Sequence, residues 1–156
     1  MKLLASSLSS VIAALGLAAA ASAQTVSPTG PITATGQLNQ SLAGGQFLTI
    51  CQVTFQGVAH ANGFTFTSYT GTQVGGPGDL ACDDSIVFPV EVEALSSSDL
   101  MIDELHISTR LGDCSASNIP LTWDNATSSV TFPAGTSIEL CEFEGTLTVS
   151  PATTIN

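Results

Sequence analysis

The chain has 156 residues and carries 13 Asp or Glu against 2 Lys or Arg, a formal net charge of −11. So few cations cannot hold a phosphate backbone or an anionic lipid surface, which excludes nucleic-acid binding and electrostatic attachment to membranes. Hydrophobic residues make up 44%, enough to fill one core, and the abundance of Thr, Ser, Val and Phe is that of a β protein.

Met1-Lys2, the apolar run Val11–Ala21 and the A-x-A site Ala21-Ser22-Ala23 predict a signal peptide over residues 1–23, with Gln24 as the mature N-terminus. The run is shorter than the ~20 apolar residues of a membrane helix and no cationic stop follows, so an integral membrane protein is not expected. The expected location is secreted: extracellular, periplasmic or at the cell surface. Once Lys2 is removed, Arg110 is the remaining Lys or Arg. All 13 acids fall between Asp79 and Glu144, whereas Gln24–Gly78 holds no Asp, Glu, Lys or Arg. Such a neutral, strand-prone stretch has few charges to resist edge pairing, which makes self-association or surface contact one of its expected uses.

Residues 24–45 read as a polar lead-in punctuated by Pro and Gly, with a strand over Ile32–Leu38. Residues 46–156 read as one all-β domain. Phe47–Gly57 alternates, with Phe47, Cys51, Val53 and Phe55 on one face. His60-Ala61-Asn62-Gly63 is a hairpin turn, after which Phe64 and Phe66 return on one face. GTQVGGPGDL, residues 71–80, reads as a loop. Strands follow at Ile86–Ala94, Leu100–Arg110, Ile119–Trp123, Val130–Phe132 and Ile138–Val149, ended by Pro151. Turns at Ser96-Ser97-Ser98-Asp99, Gly112-Asp113 and Asp124-Asn125-Ala126-Thr127 separate them. About eight strands at roughly ten-residue intervals predict a single-domain antiparallel β-sandwich or open barrel.

Four cysteines, Cys51, Cys82, Cys114 and Cys141, form an even set in a chain with an export signal, which predicts two disulfides. Their wide spacing does not suit zinc. Folding the chain at Ser97-Ser98 sets Cys82 near Cys114 and leaves Cys51 for Cys141. That pairing is slightly favoured over Cys51–Cys82 with Cys114–Cys141. It would also join two similar phrases, FLTICQVTFQG (47–57) and SIELCEFEGTLTV (137–149), as partner strands.

Candidates for chemistry are sparse. His60 reads as a turn residue and His106 as a surface strand residue, and no G-x-S-x-G elbow accompanies them, so a secreted hydrolase has only these two residues behind it. Asp79, Asp83 and Asp84 around Cys82 are a weak calcium candidate without EF-hand spacing; no metal or other cofactor is expected. Glu91 with Glu93, and Glu142 with Glu144, are i, i+2 pairs that mark solvent faces rather than a glycosidase pair across a cleft. Trp123 is the single Trp and reads as a core anchor. No catalytic residue is assigned.

SPTG at 27–30, LTICQVTFQGVAHANGFTFTSYTG at 48–71, the spaced Cys82 and Cys114, and CEFEGTLTVSPATTIN at 141–156 together resemble the secreted bacterial alkane-oxidation activator proteins. The resemblance implies an extracellular, non-enzymatic protein that promotes growth on hydrocarbons, acting at the cell surface, in a biofilm or at an oil–water interface. Its partners would be a hydrocarbon surface or further copies of itself. The alternative expectation is a structural subunit of a fibre or biofilm matrix, in which the uncharged lead-in donates a strand to a neighbour.

Overall fold

The computed structural model describes residues 24–42, 46–77, 82, 85–109 and 112–156, the side chains of 46 and 47 excepted. The predicted signal peptide, Asp79, Asp83, Asp84, Arg110 and the side chain of Phe47 lie outside the described residues. The strands are β1 (Val26–Ser27), β2 (Gly30–Leu42), β3 (Gln46–His60), β4 (Gly63–Gly75), β5 (Ser85–Ile86), β6 (Val90–Ala94), β7 (Asp99–Thr109), β8 (Gly112–Asp124), β9 (Ser129–Ile138), β10 (Cys141–Ser150) and β11 (Thr154–Ile155).

The sheet runs β5-β7-β6-β4-β3-β2-β10-β9-β8 and closes through a β7–β8 ladder. Every pairing is antiparallel, and within this sheet, with β5 and β6 taken together, each strand apart from the β2–β10 closure pairs with its sequence neighbours. The result is an eight-stranded, up-and-down barrel, closed where the sequence predicted a sandwich or open barrel. Closure pairs every stave with a neighbour on each side over at least part of its length. β5 and β6 both pair with β7, Ile86 opposite Ile107 and Val92 opposite Ile102, so they form one stave interrupted at Val87–Pro89.

Alternation points one face of each stave inward. Ile32, Ala34 and Leu38 of β2, Cys51 and Val53 of β3, Phe64 and Phe66 of β4, and Leu147 and Val149 of β10 are buried. The outward positions are largely Thr, Gln, Ser and Glu, the reverse of a membrane-spanning barrel, whose outside is apolar. Among the described residues no helix is long and apolar enough to cross a membrane.

Several elements depart from the sequence reading. The predicted loop at 71–80 begins as strand, because Thr70–Gly75 keep their ladder with β3. On β7 the inward set switches phase, from Leu100 and Ile102 to Leu105 and Ile107. The switch falls where the β7–β8 ladder breaks at the Asp103/Asn118 pair, with the same register on both sides, and Asn118 has φ +56°. That break also hid the first half of β8, so the short strand predicted at Ile119–Trp123 starts at Gly112.

The two similar phrases are not partners. They are β3 and β10, the two strands that flank β2. The glycine of each sits where a second backbone crowds in. A Cβ on Gly57 would lie 2.2 Å from the Thr65 carbonyl oxygen, and one on Gly145, at φ +144°, 2.2 Å from that of Gln37. Both mark register shifts, at Gln56/Gly57 against β4 and Phe143/Gly145 against β9, the device that bends strands around a barrel.

The disulfides are Cys51–Cys82 and Cys114–Cys141, which corrects the favoured pairing. Cys51 stands opposite Leu38 and Cys141 opposite Leu42, on opposite sides of β2 and four residues apart along it. That exceeds the roughly 7 Å limit of Cα separation for a bridge. Cys82 and Cys114 are likewise kept apart by β7, since Cys114 faces Ile107, whose other partner is Ile86. The fold at Ser97-Ser98 placed them at similar height but missed the second reversal that puts Cys114 one strand further round.

Candidate functional site

One end of the barrel is capped by the termini. β1 pairs with β11, and Val26 and Ile155 are fully buried beneath the turns. The Val26 N–H donates to the Ala61 carbonyl at 2.9 Å. The hub of this cap is Asn125. Its Oδ1 accepts from the Trp123 indole N–H and the Ile155 N–H, both at 2.7 Å, and its Nδ2 donates to the Ile155 carbonyl at 2.9 Å. Ser128 Oγ donates to the Thr153 carbonyl and accepts from the Thr153 N–H.

Toward the other end, two seams interrupt the wall. The β4–β6 ladder covers Gly63–Phe66 and the β8–β9 ladder covers Thr122–Asp124; among the described residues neither continues below those points. Each disulfide stands beside one seam. Cys51–Cys82 draws the chain after β4 against β3, helped by a 2.8 Å hydrogen bond from the Tyr69 hydroxyl to the Cys82 carbonyl. Cys114–Cys141 ties β8 to the β9–β10 hairpin, with the Ser115 N–H donating to Glu139 Oε2 at 3.1 Å.

Between the cap and this end lies the lumen, with a free volume of about 50 Å³. Aromatic rings run through it in contact: Tyr69 with Phe55 at 4.9 Å, Phe55 with Phe66 at 5.6 Å, and Phe64 with Trp123 at 5.5 Å between centroids. Trp123, the predicted core anchor, is 4% exposed. The polar tips of Tyr69 and Trp123 are satisfied by Cys82 and Asn125. The remaining polar side chain in the lining is Gln40, 4% exposed, whose Oε1 is buried with no hydrogen-bond partner among the described residues. An unsatisfied buried acceptor costs about 1–3 kcal/mol relative to a satisfied one. The sequence reading missed Gln40. It continues the inward phase of Ile32, Ala34 and Leu38, and was legible had the strand been carried past Leu38.

Each histidine faces a glutamate. His60 lies 3.9 Å from Glu91, and His106 lies 2.9 Å from Glu104, each about half exposed on the outer wall. Glu91 accepts from the Thr65 hydroxyl at 2.7 Å, and Glu144 from the Asn39 amide at 2.9 Å. Among the described residues no three His, Cys, Asp or Glu gather to hold a metal; the calcium candidates lie outside them.

The outer wall is electrically divided. Because the barrel is a meander, the uncharged stretch becomes three adjacent staves, β2, β3 and β4, and the acids among the described residues fall on β6 to β10 and the turns between them. On the uncharged side Leu48, Val58 and Val74 are exposed, Val74 by 54%.

No curated protein and no solved structure matches the chain. The sequence profile of the PraA/PraB-like alkane oxidation protein activators matches residues 1–156, and the chain belongs to that family.

Proposed function

We propose that the protein acts outside the cytoplasm, without catalysis of its own, and promotes growth on alkanes by adsorbing where oil meets water or the cell surface. The observation that carries this is the divided wall. The uncharged staves β2–β4, with Leu48, Val58 and Val74 exposed, suit contact with an apolar phase. The acidic staves keep the opposite side hydrated and stop the adsorbed molecules from coagulating. The two disulfides agree with an oxidising compartment. Family membership supplies the link to alkane oxidation.

Two measurements test it. Purified protein lowers hexadecane–water interfacial tension at micromolar concentration, and externally added protein shortens the lag of a deletion strain on hexadecane but not on succinate. Unchanged tension removes the interfacial mechanism, and a lag equal on both carbon sources removes the alkane link. The fibre reading loses its main motive here. β2 is paired on both sides within its own chain, so donating it to a neighbour would open the barrel.

A further inference from the structure

The seam between β8 and β9 is built to stay open. The Trp123 N–H donates to the Ser98 carbonyl, on the β7 side, at 2.8 Å, so strand alternation turns the backbone groups of Thr122 and Pro120 toward β9. Two residues beyond Thr122↔Thr131, the same register would make Pro120 and Pro133 the next hydrogen-bonded pair. Neither has an N–H to give, and the ladder stops at Thr122. Farther along, β9 loses its pairing to β10 between Phe132 and Thr136, with Gly135 at φ +77°. At the far end the Cys114–Cys141 bridge and the bond from the Ser115 N–H to Glu139 tie the strands together again. What remains is a cleft of about 300 Å³ lined by residues 116–120 and 133–137, all of them described.

We infer that this cleft takes a short, extended, basic peptide segment of another protein, laid as an added strand between β8 and β9. The backbone argues for an extended peptide. The Ser115 N–H faces away from β7, toward Glu139, so Ser117 two residues on faces the cleft as well. Asn118, at φ +56°, resets the alternation so that Pro120 also faces it. The N–H and carbonyl of Ser117 and the carbonyl of Pro120 therefore have no ladder partner on that side, which is the edge that an added strand pairs with. Charge argues for a basic segment. Asp103 and Glu104 on β7 flank one lip, Glu142 and Glu144 on β10 flank the other, and Glu139 stands at the disulfide end. Glu104 meets His106, and among the described residues there is no Lys or Arg to answer the rest. The flanking acids lie about 10 Å, two strand spacings, from the middle of the cleft, within reach of a Lys or Arg side chain. A second copy of this chain fits poorly: it brings the same excess of acid, and its uncharged lead-in is already held in β2. The cleft is short, and buried Ile119 lies in its lining, so the backbone and one small side chain enter while the cationic side chains stay outside. This inference goes beyond the interfacial reading and needs none of it.

The test uses the full mature chain with disulfides intact and acetyl-Lys-Ala-Lys-amide as the probe. Two controls keep its size: the same peptide methylated on the alanine nitrogen, and acetyl-Glu-Ala-Glu-amide. Backbone amide shifts of Ser117, Asn118, Ala134 and Ser137 report occupancy of the cleft. The expected result is that the lysine peptide moves these amides and binds about tenfold more tightly than either control, since the methyl removes one strand hydrogen bond and the glutamates meet like charge. Pro120→Val with Pro133→Val restores both N–H groups, lets the ladder continue past Thr122 and abolishes binding. Asp103→Asn with Glu142→Gln leaves the cleft walls intact and weakens the lysine peptide severalfold. Equal affinity for the methylated peptide overturns the proposal, because the contact would then be one of charge alone. So does equal affinity for the glutamate peptide, binding that survives in the folded valine variant, shifts confined to amides outside the cleft, or no binding by any of the three peptides. Where the valine variant fails to fold, the methylated peptide still decides between strand addition and charge.

Discussion

Asn125 shows how much of the capped end rests on one side chain. It begins as a turn residue, Asp124-Asn125-Ala126-Thr127, yet its amide joins the Trp123 indole to both backbone groups of Ile155. Asn125→Ala would leave the buried indole N–H without its acceptor and release β11 from the barrel. Loss of about 2–3 kcal/mol of stability is expected, measured by urea unfolding, together with a shift in Trp123 emission. A loss below about 0.5 kcal/mol would show that water or a neighbour replaces the amide without cost.

Two aspartates act at the same scale through their charge. Hydrogen bonds from Ser96 and then Ser98 lower the Asp99 pKa, and the Thr127 hydroxyl followed by the Ala126 N–H lowers that of Asp124. A carboxyl depressed in the folded chain stabilises it above the ordinary aspartate value and ceases to do so as pH falls through the folded value. Relief of the −11 charge works in the opposite sense during acidification, so the absolute acid limb is a poor readout. The difference between the wild type and an Asp99→Asn, Asp124→Asn double variant isolates the turns. That difference favours the wild type at pH 7 and closes toward about pH 2. A gap that persists unchanged in acid would mean that the carboxylate charge does not matter at these turns.

Among the elements, the disulfides and the ladders divide the work. Near the cap the staves are hydrogen-bonded continuously, and at the other end the bridges stand beside the two seams. Sequence separations of 31 and 27 correspond to roughly 3–4 kcal/mol per bridge on the chain-entropy model. Removing Cys114–Cys141 as a Cys→Ala pair should cost about that much, and the loss should be local first. Amide hydrogen exchange is expected to speed up along 112–117 before it does along 121–124. Uniform acceleration over β8 would instead place the bridge's effect in the unfolded state alone.

The elements also show what a sequence reading can reach. Inward faces that alternate without interruption were legible, as with Cys51, Val53 and Phe55, and so were turns with strong local chemistry, such as Asn62-Gly63. What failed depended on contacts between strands. The phase change on β7 falls where the ladder to β8 skips Asp103 and Asn118, the latter at positive φ. The disulfide map needs to know that β2 lies between β3 and β10, a closure made by residues more than a hundred positions apart, such as Asn39 and Glu144. The repeated phrase carried real information, but about two strands sharing a neighbour and a bend. Gln40 escaped for a simpler reason: a polar residue at the end of a strand looks like solvent exposure until the barrel closes over it.

At the scale of the whole molecule, meander topology converts a charge gradient along the chain into one across the barrel. A Greek-key order would have interleaved neutral and acidic staves and erased it. The division can therefore be tested without disturbing the core. Val58 and Val74 point outward and are 44% and 54% exposed, so Val58→Glu with Val74→Glu adds charge to the neutral wall with little expected change in stability. Removing charge from the far side, by Glu93→Gln and Asp103→Gln at exposed positions, alters net charge by the same amount in the opposite sense. If adsorption depends on which wall meets the oil, the valine variant loses most of its effect on hexadecane–water tension and the second variant keeps it. If adsorption merely follows net charge, the second variant becomes more surface-active than the wild type while the first loses activity in proportion to its added charge. Equal behaviour of both variants and the wild type would place the contact surface elsewhere on the barrel.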